Sequence, residues 1–101
     1  MKEMKLTVHP FEMGKPKEAA VKVLEEAAEV HGAWQMVQGA EIVEDRESVI
    51  YRMWRLRLAD EIADVIQAAC NLAARYDLDL GAAMERCEQR NRDRGRYEVQ
   101  L

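Results

Sequence analysis

An all-α fold is predicted by three observations. The two prolines stand at positions 10 and 16 and the glycines number only five, so long stretches run without a helix breaker. Ala, Leu, Glu, Arg and Met are plentiful while aromatics make up 6%, a balance that favours helix over sheet. Apolar residues recur three and four apart, as in Leu58, Ile62, Val65, Ala69 and Leu72. With 101 residues the chain reads as a single domain, 1–101, of three main helices. Three helices do not close a four-helix bundle, so a bundle-type core completed by homo-oligomerisation is expected, as a homodimer or homotetramer.

The elements follow in order. Residues 1–13 are an extended N-terminal arm, in which Leu6-Thr7-Val8 suits either a brief strand or a plain extended run, and Pro10 forbids a helix. Gly14 and Pro16 mark a helix start, because proline is tolerated in the first turn. The first helix is predicted over about 16–38, with Gly39 as its stop and an apolar stripe of Ala20, Val23, Leu24, Ala27, Val30 and Trp34. The linker Ala40–Asp45 is ambiguous and partly helix-compatible. Ser48 or Asp45 can cap a second helix over about 48–76, roughly 42 Å long at 1.5 Å per residue. Its apolar face drifts, with Ile50, Tyr51 and Trp54 to one side of the later stripe. Asp79 suits the cap of a third helix over about 79–92, ended by Gly95.

Charge and composition narrow the function classes. A net charge of −4 argues against a protein whose main task is gripping nucleic acid, which needs a basic surface. No stretch approaches the roughly 18 apolar residues of a membrane span, and the first residues lead into no apolar run of signal-peptide length. A cytoplasmic protein without membrane partners is the expectation. Cys70 and Cys87 have no metal-ligand spacing and read as buried thiols outside any disulfide framework. His9 and His31 read as structural, and Trp34 and Trp54 as core or interface before base-stacking.

Two acidic pairs carry the chemistry. Glu26 and Glu29, then Glu61 and Asp64, are each three residues apart within strongly helical sequence. That spacing puts both carboxylates of a pair on one helix face, with Cβ atoms about 5–6 Å apart. Two such helices side by side gather four carboxylates, an oxygen-rich setting suited to Mg²⁺ that also holds a phosphate. Glu61, Asp64, Ala68, Asn71 and Arg75 form one stripe bordering the apolar arc; Lys22, Glu26, Glu29 and Ala33 form another. Carboxylates set against a core are costly unless paired, protonated or metal-bound. The bland alternative is a solvated face, since charged residues three or four apart are common on helices and Glu85 and Glu88 repeat the spacing.

The stretch Lys22-Val-Leu-Glu-Glu-Ala-Ala-Glu29, followed by Asp60-Glu-Ile-Ala-Asp-Val-Ile66, resembles the MazG-like all-α nucleotide pyrophosphohydrolases. Their signature is E-x-x-E, a helical spacer, then E-x-x-D; here the spacer between Glu29 and Glu61 is 31 residues. The tail Asn91–Tyr97 is similar to the end of the third helix in small, phage-type members, and Gly14–Ala20 to the lead into their first helix. The resemblance implies that Glu26, Glu29, Glu61 and Asp64 hold Mg²⁺, for which Mn²⁺ can substitute. It further implies hydrolysis of a nucleoside triphosphate, ribo or deoxy, to the monophosphate and pyrophosphate, as in the removal of unwanted or modified nucleotides. Glu26 is the expected acid that orients or deprotonates the attacking water, with Glu25 and Asp60 as neighbours able to take over in the register. Lys15 and Lys22 are candidate phosphate contacts, and Asn91 and Arg94, by the resemblance, close over the phosphates. Asn71 suits a base or sugar contact or, equally, an oligomer interface. The competing reading is a non-catalytic helical oligomerisation or adaptor module with solvated acidic faces, or with those faces occupied by arginines from a partner chain.

Overall fold

The computed structural model describes residues 1–43 and 48–97, and within them the fold is three helices with no strand: α1 (Pro16–Val43), α2 (Val49–Arg75) and α3 (Leu80–Asp93). The all-α prediction and its three helices therefore hold. The arm over residues 1–13 is extended, and Leu6-Thr7-Val8 pairs into no strand.

Each helix start has a local cause. Gly14 takes φ +45°, a conformation that disfavours side chains, and turns the arm into Pro16 at the first helical position. Glu18 reaches back to accept the Lys15 N–H at 3.3 Å. Ser48 caps α2, its Oγ accepting the Tyr51 N–H at 3.1 Å, and Asp79 caps α3 by accepting the Ala82 N–H at 2.9 Å. Asp45, the other candidate cap, lies outside the described residues. At the far end of α3, Gly95 at φ +70° forms the stop expected of it.

Gly39 does not end α1, which continues four residues to Val43. A glycine within a helix costs about 1 kcal/mol relative to alanine. Beyond it, however, Ala40 is buried, and that packing holds the extra turn in place. The same fact exposes the pattern of the whole helix. Its buried residues are Ala19, Glu26, Ala33 and Ala40, each seven from the next, with half-buried Val23, Val30 and Val37 between them. On α2, Leu58, Val65 and Leu72 alternate with Glu61 and Ala68 in the same way. This four-three alternation is a coiled-coil seam, and α1 and α2 form an antiparallel hairpin along it.

The expected stripe of α1 held at Val23 and Val30 and was one position off elsewhere, with Ala19 and Ala33 in the seam where Ala20 and Trp34 were expected. Ala20, Leu24, Ala27 and Trp34 are exposed, Leu24 at 72%. Alanines in the seam let the two backbones approach closely, and the bulky residues are left on the flank. On α2, Leu58, Val65, Ala69 and Leu72 are half-buried as expected, while Ile62 is exposed.

The core this produces is thin. Its buried apolar members are five alanines, and no large side chain among the described residues is fully enclosed. Helix α3 buries nothing, and the extensive helix pairing is that of α1 with α2. The chain measures 45 × 44 × 20 Å with a radius of gyration of 16.7 Å, against about 13 Å for a compact domain of this length.

Candidate metal centre

Glu26 and Glu61 occupy facing positions halfway along the hairpin, where a coiled coil would ordinarily place leucine or valine. Both are more than nine-tenths buried. Each has one oxygen satisfied by a cation one turn earlier on its own helix: Lys22 Nζ lies 2.9 Å from Glu26 Oε1, and Arg57 Nε donates to Glu61 Oε1 at 2.7 Å. The other oxygen of each, Oε2, is buried without a hydrogen-bond partner. Glu29, exposed on the rim, completes the group: one oxygen from each of Glu26, Glu29 and Glu61 lies within 4.8 Å of the others.

Crowding of three carboxylates shows in their proton affinities. The Glu29 carboxyl is pushed above its ordinary range, first by hydrogen bonding with Glu61 and then by Glu26. Glu26 is held below its ordinary range, chiefly by the Lys22 ammonium. Lys22 and Arg57 are both pushed up by the glutamates they serve.

A divalent cation fits this donor set. Two buried carboxylates whose free oxygens have only a third carboxyl, Glu29, for company are costly unless a proton or a cation lies between them. Three carboxylates with an oxygen of each within 4.8 Å of the others offer the all-oxygen donor set that such a cation takes. No family model, curated protein or solved structure matches the chain.

The other predicted site residues divide into three groups. Asp64 is exposed and stands outside the three-carboxylate group, one helical turn from Glu61, as do Glu25 and Asp60. Lys22 pairs with Glu26 at 2.9 Å and lies 3.8 Å from Glu25, and Lys15 is exposed at the helix start. Asn71, at 3% exposure, belongs to a second feature near the arm: its Oδ1 accepts the Phe11 N–H and the Gln67 side-chain amide, each at 2.9 Å. Asn91 donates to the Tyr97 hydroxyl at 2.9 Å and Arg94 caps α3. Among the described residues, no hydrogen bond or ion pair links Asn91 or Arg94 to the carboxylates. Arg57 is the functional residue that sequence reasoning passed over. Its signal was there, in the same four-residue offset to Glu61 that Lys22 has to Glu26.

Cys70 and Cys87 are free thiols, half-buried where burial was expected. His31 meets the Trp34 ring at 5.5 Å on the outer flank, and the His9 carbonyl accepts from Gln67 at 3.1 Å. Among the described residues no helix is long and apolar enough to cross a membrane.

Proposed function

We propose that the chain is a Mg²⁺-dependent nucleoside triphosphate pyrophosphohydrolase. The observation that carries the reading is the pair of buried, unpartnered oxygens of Glu26 and Glu61 beside Glu29. Such an arrangement suits a cation and has no packing value of its own. The resemblance of the two acidic pairs to the MazG-like signature supports the same chemistry.

Glu26, Glu29 and Glu61 would hold the cation, with Asp64 within a turn at the rim. When bound, Mg²⁺ supplies charge neutralisation of the phosphates and a lowered pKa for a nearby water. The residues supply the rest. Lys22 and Arg57 each hold one oxygen of the two buried carboxylates and leave the second without a partner. Glu26 keeps the role of orienting or deprotonating the attacking water, a role open to any of the four acids. Water oxygen bonds to the α-phosphorus, its proton passes to that carboxylate, and the bond from that phosphorus to the bridging oxygen breaks. Pyrophosphate leaves with the electron pair.

Self-association belongs to the same proposal. Leu24, Trp34 and Ile62 line the flank of the hairpin away from Glu29 and are 44–72% exposed, and α3 has an unburied apolar side. A second copy placed on that flank would complete a four-helix core and leave the acidic flank open. The adaptor reading accounts for the apolar flank equally well, and it answers the two orphaned oxygens only if arginines of a partner chain reach them.

The test is pyrophosphate release from a panel of standard and modified nucleoside triphosphates, with Mg²⁺ and with EDTA, comparing wild type with Glu61→Gln. Metal-dependent release that collapses in the variant is expected. A folded protein that releases no pyrophosphate from any triphosphate would sink the proposal in favour of the adaptor.

A further inference from the structure

The N-terminal arm is tied along α2 at three points. Arg75 pairs with Glu12 at 3.1 Å, Asn71 Oδ1 accepts the Phe11 N–H at 2.9 Å, and the Gln67 side-chain amide donates to the His9 carbonyl at 3.1 Å. Gln67 also donates to Asn71 Oδ1 at 2.9 Å, which joins the two neighbouring ties. From Glu12 back to His9 the partners step from Arg75 to Asn71 to Gln67, so the arm runs down α2 towards Glu61. Gln67, Asn71 and Arg75 stand three, seven and eleven residues beyond Asp64, a spacing that keeps all four on one side of the helix. That is the flank on which the carboxylates open.

Beyond the last tie the arm goes on. Val8 is half-buried, and Met1–Thr7 are exposed. Lys5 lies four residues before His9, up to about 13 Å of extended chain at ~3.3 Å per residue. Gln67 lies six residues after Glu61, about 9 Å along α2 at 1.5 Å per residue. An arm that keeps its line therefore passes the level of Glu61 between Leu6 and Lys5. The centre needs a cation on that side. Lys22 and Arg57 pair with Glu26 and Glu61, and among the described residues no ion pair reaches Glu29 or Asp64. A triphosphate brought there by a divalent cation adds further negative charge beside those two acids, and like charges so close repel. Lys5 has no ion-pair partner among the described residues.

We propose that the N-terminal arm is a strap that carries Lys5 over the metal centre, where its ammonium binds the outer phosphates of the nucleotide. The proposal rests on the hydrolase reading for the occupant of the centre. It makes Lys5 a positioning residue for the pyrophosphate portion, the part that lies beyond the α-phosphorus under attack.

Inorganic pyrophosphate is the probe, because it carries neither base nor sugar. Its binding to the full chain with Mg²⁺ is measured by calorimetry, and Mn²⁺ binding by water-proton relaxation on the same proteins. Lys5→Gln should bind pyrophosphate about tenfold more weakly than wild type, and Lys5→Arg should restore it. Gln67→Ala combined with Arg75→Ala removes two ties and keeps Lys5; several-fold weaker binding is expected. Lys17→Gln loses the same charge at the start of α1 and should change nothing. Mn²⁺ binding should be the same in every variant. In wild type carrying Mn²⁺, addition of pyrophosphate should broaden the Lys5 amide NMR signal further. Pyrophosphate bound by Lys5→Gln or by the double variant as tightly as by wild type would overturn the strap alone. So would equal weakening by Lys17→Gln, or no pyrophosphate bound by a chain that still takes Mn²⁺. Absence of Mn²⁺ binding by wild type would overturn the reading on which the strap rests, and the strap with it.

Discussion

The two flanks of the α1–α2 hairpin are made by the same pair of helices and differ in almost everything else. One carries Leu24, Trp34 and Ile62, large apolar side chains left substantially exposed. The other carries Glu29, Arg57, Asp64 and Asn71, and opens onto the unpartnered oxygens of Glu26 and Glu61. The seam between them is built mainly from alanine and valine, so neither flank is absorbed into the core. A hairpin this thin keeps its helices close enough for carboxylates on both to meet. In return it leaves an apolar surface that a single chain does not cover.

The comparison breaks most sharply at the buried glutamates. Partners that merely orient metal ligands are worth 10–100-fold, so Glu61→Gln or Glu26→Gln should lower Mg²⁺-dependent pyrophosphate release by about 100-fold or more. The same changes should leave helicity intact, since each keeps the side chain's size and one oxygen for Lys22 or Arg57 while removing a buried charge. An unchanged rate in either variant would show that the acidic flank is not the site.

The apolar flank gives the next largest effect. Leu24→Glu combined with Ile62→Glu introduces like charges on a surface that is already exposed within one chain. If a second copy covers that surface, sedimentation should show a smaller particle and the melting temperature should drop by roughly 10 °C or more. A wild-type chain that sediments as a monomer would remove the packing role from this flank.

Divalent metal should act on the other flank only. Saturating Mg²⁺ or Mn²⁺ is expected to raise the melting temperature of wild type by several degrees through mass action, and to have no such effect on Glu26→Gln. A rise of equal size in both proteins would place the ion elsewhere.

The smallest effect sharpens the electrostatics. Because Glu29 has a raised proton affinity when folded, the native state binds more protons than the unfolded chain between the ordinary and raised values, and stability falls as pH rises through that window. Glu29→Gln should therefore stabilise the metal-free protein by a few degrees above the window and not at all below it. Melting curves at a series of pH values check this, and a gain independent of pH would refute it.

Much of the architecture was legible in the residues themselves. Capping by Ser48 and Asp79, the proline at the start of α1 and the stop at Gly95 are local effects, decided within a few residues of chain, and each stands where its residue type puts it. The pairing of Glu26 and Glu29 with Glu61 was legible as well, since helical spacing alone sets them on facing stripes. The errors arose where two helices had to choose a contact line. Leu24 and Trp34 outweigh Ala19 and Ala33 on any hydrophobic scale, yet the alanines form the seam, because close approach of the backbones rewards small residues that a transfer scale undervalues. The extension of α1 through Gly39 has the same origin in the burial of Ala40.

The sequence by itself determined the helical class, the bounds of α2 and α3 to within a residue or two, and the acidic character of one flank. These follow from propensity, capping and periodicity, which act over a turn or two of helix. Only the tertiary structure decided that Glu26 and Glu61 each keep one buried oxygen without a partner, that Asp64 stands apart from the other three acids, and that the arm folds back onto Gln67, Asn71 and Arg75. Those outcomes depend on which atoms meet across distances of tens of residues along the chain, and burial on one side chain sets the hydrogen bonds left open on the next.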